Sequence, residues 1–185
     1  MRRQEILKAA TQVFASRGYE GASLREIGEV IGISKGNLSY YFAIKDDLLF
    51  EIVNGLHDDF LVLSEEWAGF DGPARACLGH AMRSHVILVC ESHDAMRVLF
   101  ENFRHLSEPR RAGITRKRAL YESKFRELLL DSGPSPAAKA NSEIATYTVL
   151  GTLNWPYQWF SPGGEHSPDE VADLVVDMAL RSLGL

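Results

Sequence analysis

Most hallmarks of a secreted, membrane or catalytic metal protein are missing from this sequence. Among 185 residues there are only two cysteines, Cys77 and Cys90, and they form no C-x-x-C pair. A disulfide scaffold or a thiolate zinc site is therefore not expected; two reduced thiols are. No apolar run approaches the roughly 20 residues that span a bilayer. The opening Met-Arg-Arg-Gln-Glu passes straight into helical periodicity, which predicts no secretory leader and a cytoplasmic protein. The six histidines contain no H-E-x-x-H, and His80 and His85 are five apart, off the i, i+4 face that suits a metal. Ser92-His93-Asp94 holds the residue types of a hydrolase triad, but adjacency in sequence is not triad geometry and no nucleophile elbow is present. No catalytic residue, metal or cofactor is expected. Convincing strand alternation and internal repeats are absent too, which leaves an all-α fold.

Charge is scarce in net terms and uneven in distribution. The chain carries −5 overall, yet residues 1–45 hold seven basic against four acidic residues, or +3, leaving −8 for the remainder. A basic module for phosphates joined to an acidic, soluble body has this asymmetry.

The basic segment contains the most informative stretch, residues 22–50. Ser23 and Glu26 form an S-x-x-E capping box, and Leu24, Ile27 and Ile31 recur at helical spacing. Gly32 follows, where a left-handed residue ends a helix cheaply. Ser34 can cap a second short helix that carries Lys35, Gly36, Asn37, Ser39, Tyr40 and Tyr41 around only two anchors, Leu38 and Phe42. So many outward hydrogen-bonding groups suit a groove reader better than a core element. A preceding helix, about Arg3 to Arg17, with Ile6, Leu7, Ala10, Val13 and Phe14 on one stripe, completes a three-helix head.

Ile27, Gly32-Ile33-Ser34, Lys35-Gly36-Asn37-Leu38, Tyr40-Tyr41-Phe42, Lys45 and Leu48-Leu49 together resemble the DNA-binding signature of the tetracycline-repressor (TetR) family. The match runs without a gap from Ile6 to about Leu49. The resemblance implies base-edge contacts for Lys35, Gly36, Asn37 and Ser39, and phosphate contacts for Ser23, Tyr40, Tyr41 and Lys45. Ser34, as the cap, and Arg25 join this candidate surface, and Arg2 and Arg3 are further candidates for phosphates or the minor groove. Lys donates to guanine and Asn pairs with adenine, so the residue types suit the roles. Three departures stand out. Ser39 replaces a usual tyrosine. Ile44 replaces a small polar cap, and Gly28 replaces an alanine and should loosen its helix by up to about 1 kcal/mol.

The remaining chain reads as helices. One is long and continuous from Lys45 to about Trp67; others start after Pro73, around Met96 and after Glu108-Pro109. Two more run from about Pro136 to Pro156 and from the second capping box, Ser167-Pro168-Asp169-Glu170. The expected division is a helix-turn-helix DNA-binding domain over 1–46 and a ligand-binding and dimerisation domain over 47–185.

Residues 150–164, with Trp155, Pro156 and Trp159, resemble the C-terminal region of TetR-family regulators of fatty-acid and steroid-ring breakdown, which respond to acyl-CoA thioesters. Such an effector needs an apolar slot and cations for phosphate. Candidates for the slot are Met82, His85, Met96, Phe100, Phe103, Phe125, Trp155 and Trp159. Arg104 belongs to a basic cluster with Arg110, Arg111, Arg116, Lys117 and Arg118, which reads equally well as a solvated helix face. An uncharged hydrophobic effector is the next alternative. The resemblance implies a homodimer through the last two helices, where small residues Ala145, Thr148, Gly151 and Thr152 permit close approach beside Leu150, Val171, Leu174, Val175 and Met178. The expected function is a ligand-responsive regulator, a repressor of a palindromic operator in double-stranded DNA. The alternative is an all-helical carrier or interaction module that has kept the head without operator binding.

Overall fold

The computed structural model describes residues 2–185, and every regular element among them is helical. In chain order these are α1 (Arg2–Gly21), α2 (Leu24–Val30), α3 (Lys35–Tyr41), α4 (Lys45–Glu66), α5 (Ala74–Glu91) and α6 (His93–Asn102). Then come α7 (Glu108–Asp131), α8 (Pro136–Ala140), α9 (Ser142–Asn154), α10 (Pro156–Trp159) and α11 (Pro168–Ser182). Short 3-10 turns follow α4 at Trp67–Gly69 and α6 at Phe103–His105.

The expected stop after Arg17 is found: Gly18, at φ 71° and ψ 163°, leaves the helical region, and a short separate turn reaches Gly21. Other boundaries differ. Pro109 does not separate helices but sits in the first turn of α7, where a missing amide leaves no intrahelical bond unmade. The helix expected from Pro136 is broken at Asn141, whose φ −123° and ψ 45° lie outside the helical region.

The chain divides into two compact units. The first comprises the chain up to His57 together with Asp94–Thr115. Its core joins Ile6, Phe14, Ile27, Leu38, Phe42, Leu48, Leu49 and Val53 to Val98, Leu106 and Ile114. Thus α6 and the start of α7 pack with the three-helix head, a pairing between segments some 50 to 100 residues apart that local periodicity cannot reveal. The second unit comprises Asp58–His93 and Arg116–Leu185. Here α11 packs on α5 and α9, and α5 also meets α9 and α10. Leu78, Ala81, Met82, His85, Val86 and Val89 form the buried stripe of α5. Arg83 reaches Asp169 at 2.5 Å and Asp173 at 2.9 Å on α11, an exposed fork worth little energy.

Candidate nucleic-acid interface and effector-binding interior

The turn between α2 and α3 is set by local chemistry. Ser23 Oγ accepts the Glu26 amide while the Glu26 carboxylate takes the Ser23 amide, so both halves of the capping box form. These bonds, led by the Ser23 hydroxyl, lower the pKa of Glu26. Gly32 adopts φ 68°, the left-handed geometry glycine takes without strain. Gly28 has a different role from the loosening expected of it. A Cβ there would lie 2.7 Å from the Ile33 carbonyl oxygen, and the Ile33 amide bonds the Gly28 carbonyl at 2.9 Å. Glycine is the residue that permits this close backbone approach.

Helix α3 starts at Ser34, whose hydroxyl accepts the Asn37 amide. Leu38 is completely buried and Phe42 nearly so, which anchors the helix from beneath. The opposite side is open: Lys35, Gly36 and Asn37 are exposed, Ser39 is half-buried, and Tyr40 is 87% exposed. Tyr41 meets Tyr40 edge-to-face at 5.4 Å. Ser23 and Arg25 are also exposed, Arg25 in a pair with Glu29 on the same helix.

Lys45 has a different environment. Its ammonium donates to the carbonyls of Tyr19 at 2.5 Å and Ala22 at 2.8 Å, and it lies 4.3 Å from the centre of the Tyr19 ring. It therefore holds the end of α1 against the start of α4. Ile44 gives α4 no side-chain cap, but Asp47 reaches back to the Ile44 amide and supplies half a capping box. Arg110 from α7 then forks onto Asp46 and Asp47 and covers the Phe50 ring. The Arg110 bond, first among several causes, holds the Asp47 carboxyl below its usual range. Asn102 Oδ1 accepts the Tyr19 amide and His105 stacks on the Tyr19 ring. Burial raises the Tyr19 hydroxyl pKa, and Asp46 adds to the rise.

The candidate effector residues fall into separate groups. Met82, His85 and Phe125 are buried in the second unit; Met96, Phe100, Phe103 and Arg104 belong to the first, with Phe100 and Arg104 exposed. Trp155 and Trp159 are 60% and 47% exposed, so a single chain does not enclose them as the expected slot would require. The basic cluster is largely committed within the protein: Arg110 to Asp46 and Asp47, Lys117 to Asp58, Arg118 to Glu122, and Arg111 to Glu108 and the Arg104 carbonyl.

In the interior of the second unit, His85 links Tyr121 at 2.6 Å and Asn154 at 3.1 Å. Burial pushes the His85 pKa down to about 4, and the Asn154 bond opposes this only partly. The imidazole is neutral near pH 7. His85 was visible in the sequence; its partners were not, lying 36 and 69 residues away. Among the described residues no cluster of histidine, cysteine and carboxylate side chains is arranged to hold a metal. No helix among them is long and apolar enough to cross a membrane.

On comparison with known proteins, residues 6–52 match the family model of bacterial regulatory proteins of the tetR family, and residues 71–183 match the tetracyclin repressor-like C-terminal domain. The chain belongs to the TetR family. As a TetR-family protein it is a ligand-responsive, DNA-binding transcriptional regulator with an all-helical fold. The transcriptional repressor KstR2 of Rhodococcus jostii RHA1 is 27% identical over 98% of this chain and 91% of its own length. A crystal structure of AibR in complex with isovaleryl coenzyme A and operator DNA superposes with a TM-score of 0.79, at 25% identity and over 97% and 98% of the two chains. The KstR2 structure of Mycobacterium tuberculosis, at 20% identity, shares the fold with a TM-score of 0.90 over 99% and 95%.

Proposed function

We propose that two copies of this TetR-family chain hold a palindromic operator through α3 and release it when a small hydrophobic effector, an acyl-CoA thioester, enters the C-terminal body. The observation that carries this reading is α3 itself: a short helix buried at Leu38 and open at Lys35, Gly36, Asn37 and Tyr40. In this reading Lys35, Gly36, Asn37 and Ser39 face base edges. Ser23, Arg25, Ser34, Tyr40 and Tyr41 hold phosphates and fix register. Lys45 acts from behind, by keeping α1 and α4 together, and residues 1–46 form the DNA-binding domain.

The dimer face lies on α9 and α11. Ile144, Tyr147, Trp155, Leu174 and Met178 are each at least half exposed, and Thr148, Gly151 and Thr152 let a second copy approach. Leu150 and Val171, expected on this face, are instead buried within the chain and support the helices from inside. A two-fold dimer sets two reading helices about 34–36 Å apart, one turn of the duplex. Effector release is a population shift, and its size is set by the effector's preference for the non-binding state. The AibR complex supports the acyl-CoA class, and the burial of Met82, His85 and Phe125 supplies an apolar environment for an acyl group. A cytoplasmic site of action and no catalytic step accompany this reading.

The test is fluorescence anisotropy with DNA flanking the protein's own coding region, with isovaleryl-CoA and longer acyl-CoA thioesters added. Binding should weaken with salt at a slope near −0.9 per phosphate neutralised, and one of the thioesters should release the DNA. No binding to that DNA, or a flat salt response, would favour the carrier reading.

A further inference from the structure

Among the described residues of the second unit, one buried polar group has no protein partner. Trp67, in the 3-10 turn after α4, is 4% exposed, and its Nε1–H finds no acceptor among the described residues. A buried donor without an acceptor costs about 1–3 kcal/mol, so its persistence calls for a reason. Its surroundings are aromatic: the Tyr121 and Phe125 rings lie 5.2 and 6.1 Å from the Trp67 ring, and Phe60 meets both Tyr121 and His85. With Asn154 Oδ1 facing Nε2, that nitrogen carries the imidazole proton, so Nδ1 accepts from the Tyr121 hydroxyl. Tyr121 is thereby held in place by His85 and Asn154, next to the indole.

Full burial of charge is absent among the described residues. No Asp, Glu, Lys or Arg is among the buried residues described. The nearby Lys124 is half-buried and gives its ammonium to Ser64 Oγ at 3.2 Å. A charged ligand group would sit here unpaired, at high cost. A neutral acceptor would satisfy the indole.

We propose that Trp67 Nε1–H is the donor that recognises a carbonyl oxygen on a neutral, ring-sized part of the effector, held among Phe60, His85, Tyr121 and Phe125. This rests on the reading that the body takes up a hydrophobic effector, and it adds the acceptor chemistry that the site selects. A carboxylate of the same size is excluded.

The probes are acetophenone, ethylbenzene and benzoate, which match in size and differ in the carbonyl and the charge. With the full-length protein, acetophenone should bind about tenfold more tightly than ethylbenzene, and benzoate should not compete. Trp67→Phe should abolish the preference for acetophenone. A second readout needs no change at Trp67. In 1H–15N spectra its indole resonance, assigned by exclusion with Trp155→Phe and Trp159→Phe, should move downfield with acetophenone and not with ethylbenzene. An indole that fails to move, or moves alike with both, overturns the proposal; so does a preference that survives in Trp67→Phe. Acetophenone bound at Trp67 without operator release supports this subsite and counts against the effector reading. Operator release with an unmoved Trp67 resonance does the reverse.

Discussion

Around α3 the outward residues are Lys35, Gly36, Asn37 and Tyr40, while the apolar Leu38 turns fully inward; along α9 and α11 the outward residues are Ile144, Tyr147, Trp155, Leu174 and Met178. Both surfaces lie on short helices of one small protein, and each departs from the ordinary mixed exterior in its own direction. The first has donors and no apolar continuity, which suits a hydrated polyanion whose affinity comes from phosphate contacts. The second groups apolar side chains along helix ridges with small residues between them, which suits another helix pair of the same kind. Exposure alone says little. The chemistry of what is exposed identifies the partner.

The difference can be broken most severely on the apolar side. Leu174→Asp with Met178→Asp should convert the dimer to monomer, with at least a hundredfold loss of self-association by analytical ultracentrifugation. Operator affinity should fall with it, and a dimer that persists would remove the assignment of this face. On the other surface the anchor matters more than the exposed groups. Leu38→Ala deletes a fully buried side chain and should cost about 2–5 kcal/mol of stability by denaturant unfolding, with DNA binding lost as a consequence.

Smaller changes sharpen the division of labour. Lys35→Ala should leave stability unaltered and relax preference at one base position by about 1–3 kcal/mol, whereas Tyr41→Phe should weaken all duplexes alike. If competition assays give the two variants one profile, base and phosphate roles have been divided wrongly.

Interior and exterior also differ in response to pH. His85 has its folded pKa lowered to about 4 from the usual 6.5, so below pH 6.5 the unfolded chain binds the proton more readily. Its contribution is complete above pH 6.5 and declines towards pH 4 at up to about 1.4 kcal/mol per unit. The His85 ring protons should show no titration by NMR down to pH 5, and a midpoint near 6.5 would refute this.

The smallest effect is a contrast in sign. Gly28→Ala gains helix propensity yet drives a Cβ to 2.7 Å from the Ile33 carbonyl oxygen; a net loss of about 1 kcal/mol is expected. Gly151→Ala meets nothing within 4 Å in its own chain. In the monomeric Leu174→Asp, Met178→Asp background it should raise the melting temperature. Equal signs would mean that propensity, and not close approach, governs both sites.

The helix-turn-helix was legible because every signal for it is local: cap, periodicity, Gly32, second cap. The same locality exposed its limits at Gly28, where propensity suggested a weak helix and the backbone turned out to need the missing Cβ. Lys45 shows a second limit. The resemblance implies a phosphate contact for Lys45, and no local signal announced that its ammonium also donates to two carbonyls, those of Tyr19 and Ala22. Trp155 and Trp159 are slot candidates through the resemblance of residues 150–164, and how far one chain exposes them depends on how α9 and α10 are turned.

What the sequence determined by itself was the set of longer helices, the polar character of α3 and the sign asymmetry between the two ends of the chain. Those follow from residue types at spacings of three to seven, which the chain carries before it folds. Tertiary structure alone decided which segments share a core and which polar groups share a partner. Arg110 meets Asp46 and Asp47, Asn102 meets Tyr19, Tyr121 meets His85, and the Trp67 donor finds no acceptor among the described residues. Contacts between residues tens of positions apart arise from packing, because burying the apolar stripes fixes each helix's rotation, and with it where every polar side chain must point.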